Sequence, residues 1–109
     1  MKFSMEVSGL YEEKLSEKIR LTTYRIIQEQ FSNILKYAKA SAVLLKIAQD
    51  NETITLTIHD NGVGFDTSKK AEGIGLMNIK ARASLFNGEV SIRSSPGQGF
   101  ELSVIMKLI

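Results

Sequence analysis

Apolar and polar positions change their period several times along this chain, and each change marks an element. Lys2 to Val7 alternates and predicts a short strand. From Tyr11 the pattern turns helical and continues to about Lys39, with Ile27, Phe31, Ile34, Leu35 and Ala38 on one stripe of the second half. Val43 to Gln49 is rich in branched residues and predicts a strand, closed by the tight turn Asp50-Asn51-Glu52. Thr53 to His59 alternates threonine with isoleucine and leucine, which predicts a strand with one wet face. A short polar stretch, Thr67 to Glu72, leads to a second helix over Leu76 to Phe86. That helix turns Leu76, Ile79, Ala83 and Phe86 inward and ends at Asn87-Gly88. Glu89 to Ser94 and Phe100 to Leu108 predict two last strands. Between them Ser95-Pro96-Gly97-Gln98-Gly99 makes a turn, with Pro96 and Gly97 suited to the central positions of type II. Strand, helix, two strands, helix, two strands is the order of an α+β two-layer sandwich with a largely antiparallel sheet and helices on one face.

Composition narrows the function classes. At 109 residues the chain is one domain with one modest core. A net charge of +2, with no arginine cluster, argues against nucleic acid as a partner. The chain has no cysteine, so it has no disulfide framework and no thiolate metal site. Its single histidine, His59, rules out a multi-histidine metal centre within this chain. No apolar run approaches membrane-spanning length, so no membrane contact is expected of this domain and a reducing, cytoplasmic setting fits.

Three segments carry candidate chemistry. On the first helix Glu29 and Asn33 lie four residues apart and Lys36 continues the row, roughly opposite the Ile27–Phe31–Leu35 stripe. Such a row is a solvated face with a Glu–Lys pair nearby, or it is a magnesium and phosphate site. In the second reading Asn33 offers a neutral oxygen, Glu29 holds a metal-bound water or acts as a base, and Lys36 balances phosphate charge. Asp60-Asn61-Gly62 could be a hairpin turn, but Val63-Gly64-Phe65-Asp66 does not alternate and makes a poor return strand. Gly64 suggests close backbone approach instead, and Asp60 at a strand end can accept a hydrogen bond from an amino group on a flat heterocycle. Gly73-Ile74-Gly75 opens directly onto the second helix at Leu76, where unpaired backbone amides suit phosphate. His59 reads as a half-exposed strand residue, and Phe3, Phe31, Phe65, Phe86 and Phe100 as core or pocket wall.

In this order, and over nearly the whole chain, these segments resemble the ATP-binding catalytic domain of sensor histidine kinases, within the gyrase, Hsp90, histidine kinase and MutL (GHKL) superfamily. Arg25 to Glu29 through Asn33 to Ala38 resembles the N box. Asp60 to Phe65 and Gly73 to Leu76 resemble the two glycine boxes, and Ser95 to Gly99 the turn before the closing strand. The Arg-Ile-Ile-Gln-Glu run and the short lid are most similar to the branch that includes nitrate and membrane-fluidity sensors.

The resemblance implies a Bergerat fold, with ATP held between the long helix and a lid. It implies that Asn33 binds magnesium and that Glu29 sits near the metal and terminal phosphate. Lys36 and Tyr37 would touch phosphate or ribose, and Asp60 the adenine amino group. Gly62 and Gly64 would line the base pocket, and Gly73, Gly75 and Leu76 the phosphate end. The cofactors implied are ATP and magnesium. The implied partner is a histidine-bearing dimerisation segment of the same kinase, with a response regulator downstream and a homodimer only in the full-length protein. That segment is not in this sequence, so the chain is expected to be a fragment of a larger kinase that does not phosphorylate itself. Phe100 departs from the family, which often has threonine there beside adenine. Two other readings stand beside this one: an anti-sigma-type serine kinase, and a degenerate nucleotide-binding module.

Overall fold

The computed structural model describes residues 1–9, 15–64 and 76–108. Its strands are β1 (Lys2–Ser8), β2 (Ala42–Gln49), β3 (Thr53–Asp60), β4 (Glu89–Ser94) and β5 (Phe100–Lys107). They form one five-stranded sheet in the order β1-β2-β3-β5-β4. β1 runs parallel to β2, and the other three pairings are antiparallel. The helices are α1 (Glu17–Asn33), extended by a π-helical turn over Ile34–Ala38, and α2 (Leu76–Ser84). This is the expected α+β architecture, a mixed and mostly antiparallel sheet.

Period-two alternation sorts the sheet into a dry face and a wet one. Ile54, Leu56 and Ile58 of β3, and Phe100, Leu102, Val104 and Met106 of β5, point toward the helices and are buried. There they meet Ile19, Ile26 and Ile34 of the first helical segment and Leu76, Ile79 and Ala83 of α2. Each fully buried branched side chain contributes about 1.5–3 kcal/mol. The outward residues of the same strands include Thr53, Thr55, Thr57 and His59, which are half-buried or exposed. Asp60 ends the inward row of β3, in step with Ile54, Leu56 and Ile58, so its carboxylate faces the helix layer. β1 is exposed along its whole length.

The long helix differs from expectation in three ways. Its described start is Glu17, because Ser16 has extended backbone and its Oγ accepts from the Ile19 N–H at 3.1 Å, a side-chain N-cap. Residues 11–14, where the sequence pattern begins the helix, lie outside the described residues. The buried stripe is Ile19, Thr22, Thr23, Ile26 and Gln30, continued by Ile34 and Ala38, whereas Leu35 is 75% exposed. Finally, the π turn adds one residue to the last turn and shifts every later side chain around the axis. Lys36, which the sequence pattern places in a row with Glu29 and Asn33, is exposed, whereas those two are half-buried. Lys39, at φ 49°, ends the helix in left-handed backbone. α2 closes as its sequence implies. Asn87 has φ 50° and the Gly88 N–H returns to the Ala83 carbonyl at 2.9 Å.

Candidate nucleotide site

A cleft opens between the end of the long helix and the ends of β3 and β5. It is lined by Gln30, Asn33, Ile34, Tyr37, Ala38, Asp60, Gly64 and Phe100, and is open to solvent on one side. Its walls are largely apolar, with a few polar groups converging on it. Tyr37, four residues past Asn33, lines the cleft on the same side of the helix.

Asp60 is only 1% exposed. Its Oδ1 accepts from the Gly62 N–H at 2.8 Å, which leaves the second carboxylate oxygen for a ligand. Burial pushes the Asp60 carboxyl above its ordinary value, while the Gly62 N–H and the nearby His59 pull it back. A carboxyl with a raised folded-state pKa contributes stability below the ordinary value of about 3.9 and loses it as pH rises through the folded value. Ionised Asp60 is thus a burden on the fold at neutral pH, retained as a buried acceptor. If a ligand donates to it, affinity must fall on acidification, beginning above the ordinary carboxylate range. We expect ATP binding followed by calorimetry to weaken as pH drops from 7 toward about 4. In Asp60→Asn the slope over that range should flatten. An unchanged slope in the variant would assign the pH dependence to another group.

The loop after Asp60 is no hairpin turn. The Asn61 Oδ1 accepts from the N–H groups of Ser41 and Ala42, both at 2.9 Å, and its Nδ2 donates to the Ser41 Oγ at 2.9 Å. The Val63 N–H caps the helix end at the Ala38 carbonyl, 2.8 Å away. On the other side the β4–β5 turn braces the loop: the Gly97 N–H donates to the Val63 carbonyl at 2.6 Å, and the Gly99 N–H to the Gly62 carbonyl at 3.1 Å. In that turn the Gln98 N–H returns to the Ser95 carbonyl at 3.0 Å and Gly97 has φ +77°, in keeping with the expected type II geometry. The glycines of the loop answer first to this packing. A Cβ on Gly62 would lie 2.1 Å from the Ala38 carbonyl oxygen, and one on Gly64, at φ +63°, would lie 2.3 Å from that of Ser95.

The cleft gathers Asn33, Tyr37, Asp60 and Gly64 from the sequence-derived candidates. Glu29 is half-buried one turn before Asn33 and does not line the cleft. Lys36 is exposed and borders a separate depression with Tyr24, Ile27, Phe31 and Leu35. Leu76 is buried at the start of α2. Gly73, Gly75 and Phe65 lie outside the described residues. His59 is exposed on the outer face of the sheet, beside the Arg93–Glu101 pair, where the ions are 3.9 Å apart.

Sequence reasoning missed two contributors. Asn61 gave a signal only as a turn residue, and its pinning role needs β2 alongside. Gln30 was detectable as the one glutamine in the i+4 row Ile26, Gln30, Ile34, Ala38. Among the described residues no group of three or more His, Cys, Asp or Glu side chains could hold a metal. Asn33 at the cleft edge suits magnesium, which takes one or two protein oxygens and completes its shell with phosphate and water.

Among the described residues a five-stranded mixed sheet lies under two helices, with a carboxylate-floored cleft beside the long one, the frame of an α+β domain with a small-molecule site. The profile described as histidine kinase-, DNA gyrase B- and HSP90-like ATPase matches residues 18–109, and the chain belongs to that family. It is an ATP-binding domain of the kind found in sensor histidine kinases, proteins of two-component signalling. It is 39% identical over 88 residues to the signal transduction histidine-protein kinase/phosphatase DegS of Brevibacillus brevis, covering 80% of this chain and 23% of the relative. With the sensor histidine kinase ComP of Bacillus subtilis it shares 36% over 104 residues, 93% of this chain and 14% of the relative. The chain therefore spans less than a quarter of the length of either. Among solved structures, the histidine kinase domain of the Erythrobacter litoralis EL346 blue-light activated histidine kinase superposes with a TM-score of 0.76 at 13% identity. That match covers 98% of this chain and 51% of the other, and shows a shared fold. No helix among the described residues is long and apolar enough to cross a membrane.

Proposed function

We propose that the domain binds magnesium–ATP in this cleft and donates the terminal phosphoryl group to a histidine on a dimerisation segment outside this chain. Phosphate would pass from there to a response regulator. The observation that carries the reading is Asp60, a buried carboxylate with one oxygen committed to Gly62 and the other left to an apolar cleft. That arrangement suits the exocyclic amino group of adenine, with Ile34, Ala38 and Phe100 against the ring. The kinase relatives support the choice of reaction.

In the transfer, an imidazole nitrogen forms a bond to the terminal phosphorus while the bond from that phosphorus to the bridging oxygen breaks. ADP leaves with the electron pair. Such transfer asks the protein chiefly for positioning and charge stabilisation. Asp60 fixes the base and so the direction of the triphosphate, and Asn33 supplies an uncharged oxygen where the phosphates pass the helix. Glu29, one turn earlier, is the carboxylate available to hold a water or accept a proton. Gly73 and Gly75, ahead of α2, are the proposed phosphate cradle. Magnesium would neutralise the phosphate charge. His59, on the outer face of the sheet, is not the acceptor in this scheme.

The test supplies the histidine-bearing segment in trans. Asn33→Ala should lower magnesium-dependent transfer at least about a hundredfold, with the melting temperature held within a few degrees. Near-normal transfer that still depends on magnesium would place the metal elsewhere and end the assignment.

A further inference from the structure

Gln30 is 2% exposed and lines the nucleotide cleft. A glutamine so deeply placed among Ile26, Ile34 and Ala38 needs its amide engaged, since an unpaired buried polar group is costly. The buried Thr23 satisfies its hydroxyl locally, donating to the Ile19 carbonyl at 2.8 Å. Gln30 does something else. Its Oε1 accepts from the Nδ2 of Asn33, three residues on, at 3.3 Å.

The two ends of a primary amide are nearly equal in size and opposite in chemistry. A half-turn of the Asn33 amide would present NH₂, which cannot coordinate a cation, where the oxygen should be. A neighbour that accepts only from the NH₂ end decides between these states. Gln30 is suited to be that neighbour because packing holds it still. The Asp60 carboxylate in the same cleft also favours turning Gln30's donor end toward the cleft, and its acceptor end toward Asn33.

We propose that Gln30 is a positioning residue: it holds the Asn33 amide by its NH₂ end and so keeps the Asn33 oxygen directed to the cation that accompanies ATP. This rests on the reading of Asn33 as a magnesium ligand. Partners that orient metal ligands typically affect metal affinity 10–100-fold.

The readout is the ratio of ATP affinity in magnesium to ATP affinity in EDTA, by calorimetry. Gln30→Met keeps the volume and removes the acceptor, and it should lower that ratio at least about tenfold. In Asn33→Asp both ends of the side chain are oxygen, so orientation no longer matters. Adding Gln30→Met there should change the ratio less than about twofold. An equal loss in both backgrounds means a merely structural role and overturns the proposal, as does no loss in either. If Asn33→Ala keeps the wild-type ratio, the metal assignment itself fails and this inference falls with it. A measurement on the unaltered protein needs no variant to fold. The Asn33 side-chain NH₂ resonances should exchange slowly with water in the magnesium–ADP complex, and fast exchange there would refute the anchoring.

Discussion

Asp60→Asn is expected to weaken ATP binding by roughly ten- to a hundredfold, the value of a hydrogen bond to a charged group at about 1.5–3 kcal/mol. The protein should melt no lower than the unaltered one. Both halves come from one geometry. Asparagine retains an oxygen for the Gly62 N–H, now 2.8 Å from Oδ1, so the loop keeps its anchor. The other end becomes NH₂, a donor set against the donor of the adenine amino group. Removing a buried charge whose pKa burial has raised also relieves the fold at neutral pH. Discrimination gives the sharper check. Guanine carries a carbonyl where adenine carries its amino group, so the unaltered domain should prefer ATP to GTP and Asp60→Asn should lose most of that preference. Equal binding of ATP and GTP by the unaltered protein would remove Asp60 from base recognition.

The second large effect is on stability. Gly62→Ala should lower it by about 2–4 kcal/mol, at the severe end for single substitutions, and the melting temperature by roughly 10–20 °C. The added Cβ would stand 2.1 Å from the Ala38 carbonyl oxygen, 2.8 Å from the Ala38 carbonyl carbon and 2.8 Å from the Asp60 Oδ1. Two of these are backbone at the helix end, which cannot swing aside as a surface side chain would. Gly97→Ala is the control. It has φ +77° and nothing within 4 Å of the added atom, so it should cost only the about 1–2 kcal/mol of a left-handed residue. The larger loss should fall on Gly62, although only Gly97 has positive φ. Equal melting of the two variants would show that the loop yields and that its seat against the helix end is soft.

Much of the fold was legible because its signals are local. Thr53 to His59 alternates so cleanly that a strand with one wet face follows from period two alone, and Asn87-Gly88 marks the end of α2 by backbone preference. Asp60 stood out as a carboxylate at a strand end before glycines. The long helix was less legible. A window centred on 3.6 residues per turn sets Leu35 with Phe31, and Lys36 in line with Asn33. The helix ends in a π turn over Ile34–Ala38, with Leu35 exposed and Lys36 outside the cleft, while Tyr37, four residues past Asn33, lines it. Nothing in those five residues forces i+5 bonding. One tertiary contact at that end is the Val63 N–H on the Ala38 carbonyl.

By itself, then, the sequence determined the elements, their order, the dry face of the sheet and the residue types offered for a magnesium–nucleotide site, since all of these depend on near-neighbour periodicity and side-chain chemistry. The tertiary structure decided which of those residues meet. It joined Asp60 to Asn33, Tyr37 and Phe100, and left Lys36 and His59 outside. It gave Gly62 its reason in the Ala38 carbonyl, and it turned Gln30 from an oddity in an apolar row into a partner of Asn33. Most of those outcomes depend on contacts between residues distant in sequence, which no local pattern records, and the Gln30–Asn33 pair depends on the packing that buries Gln30.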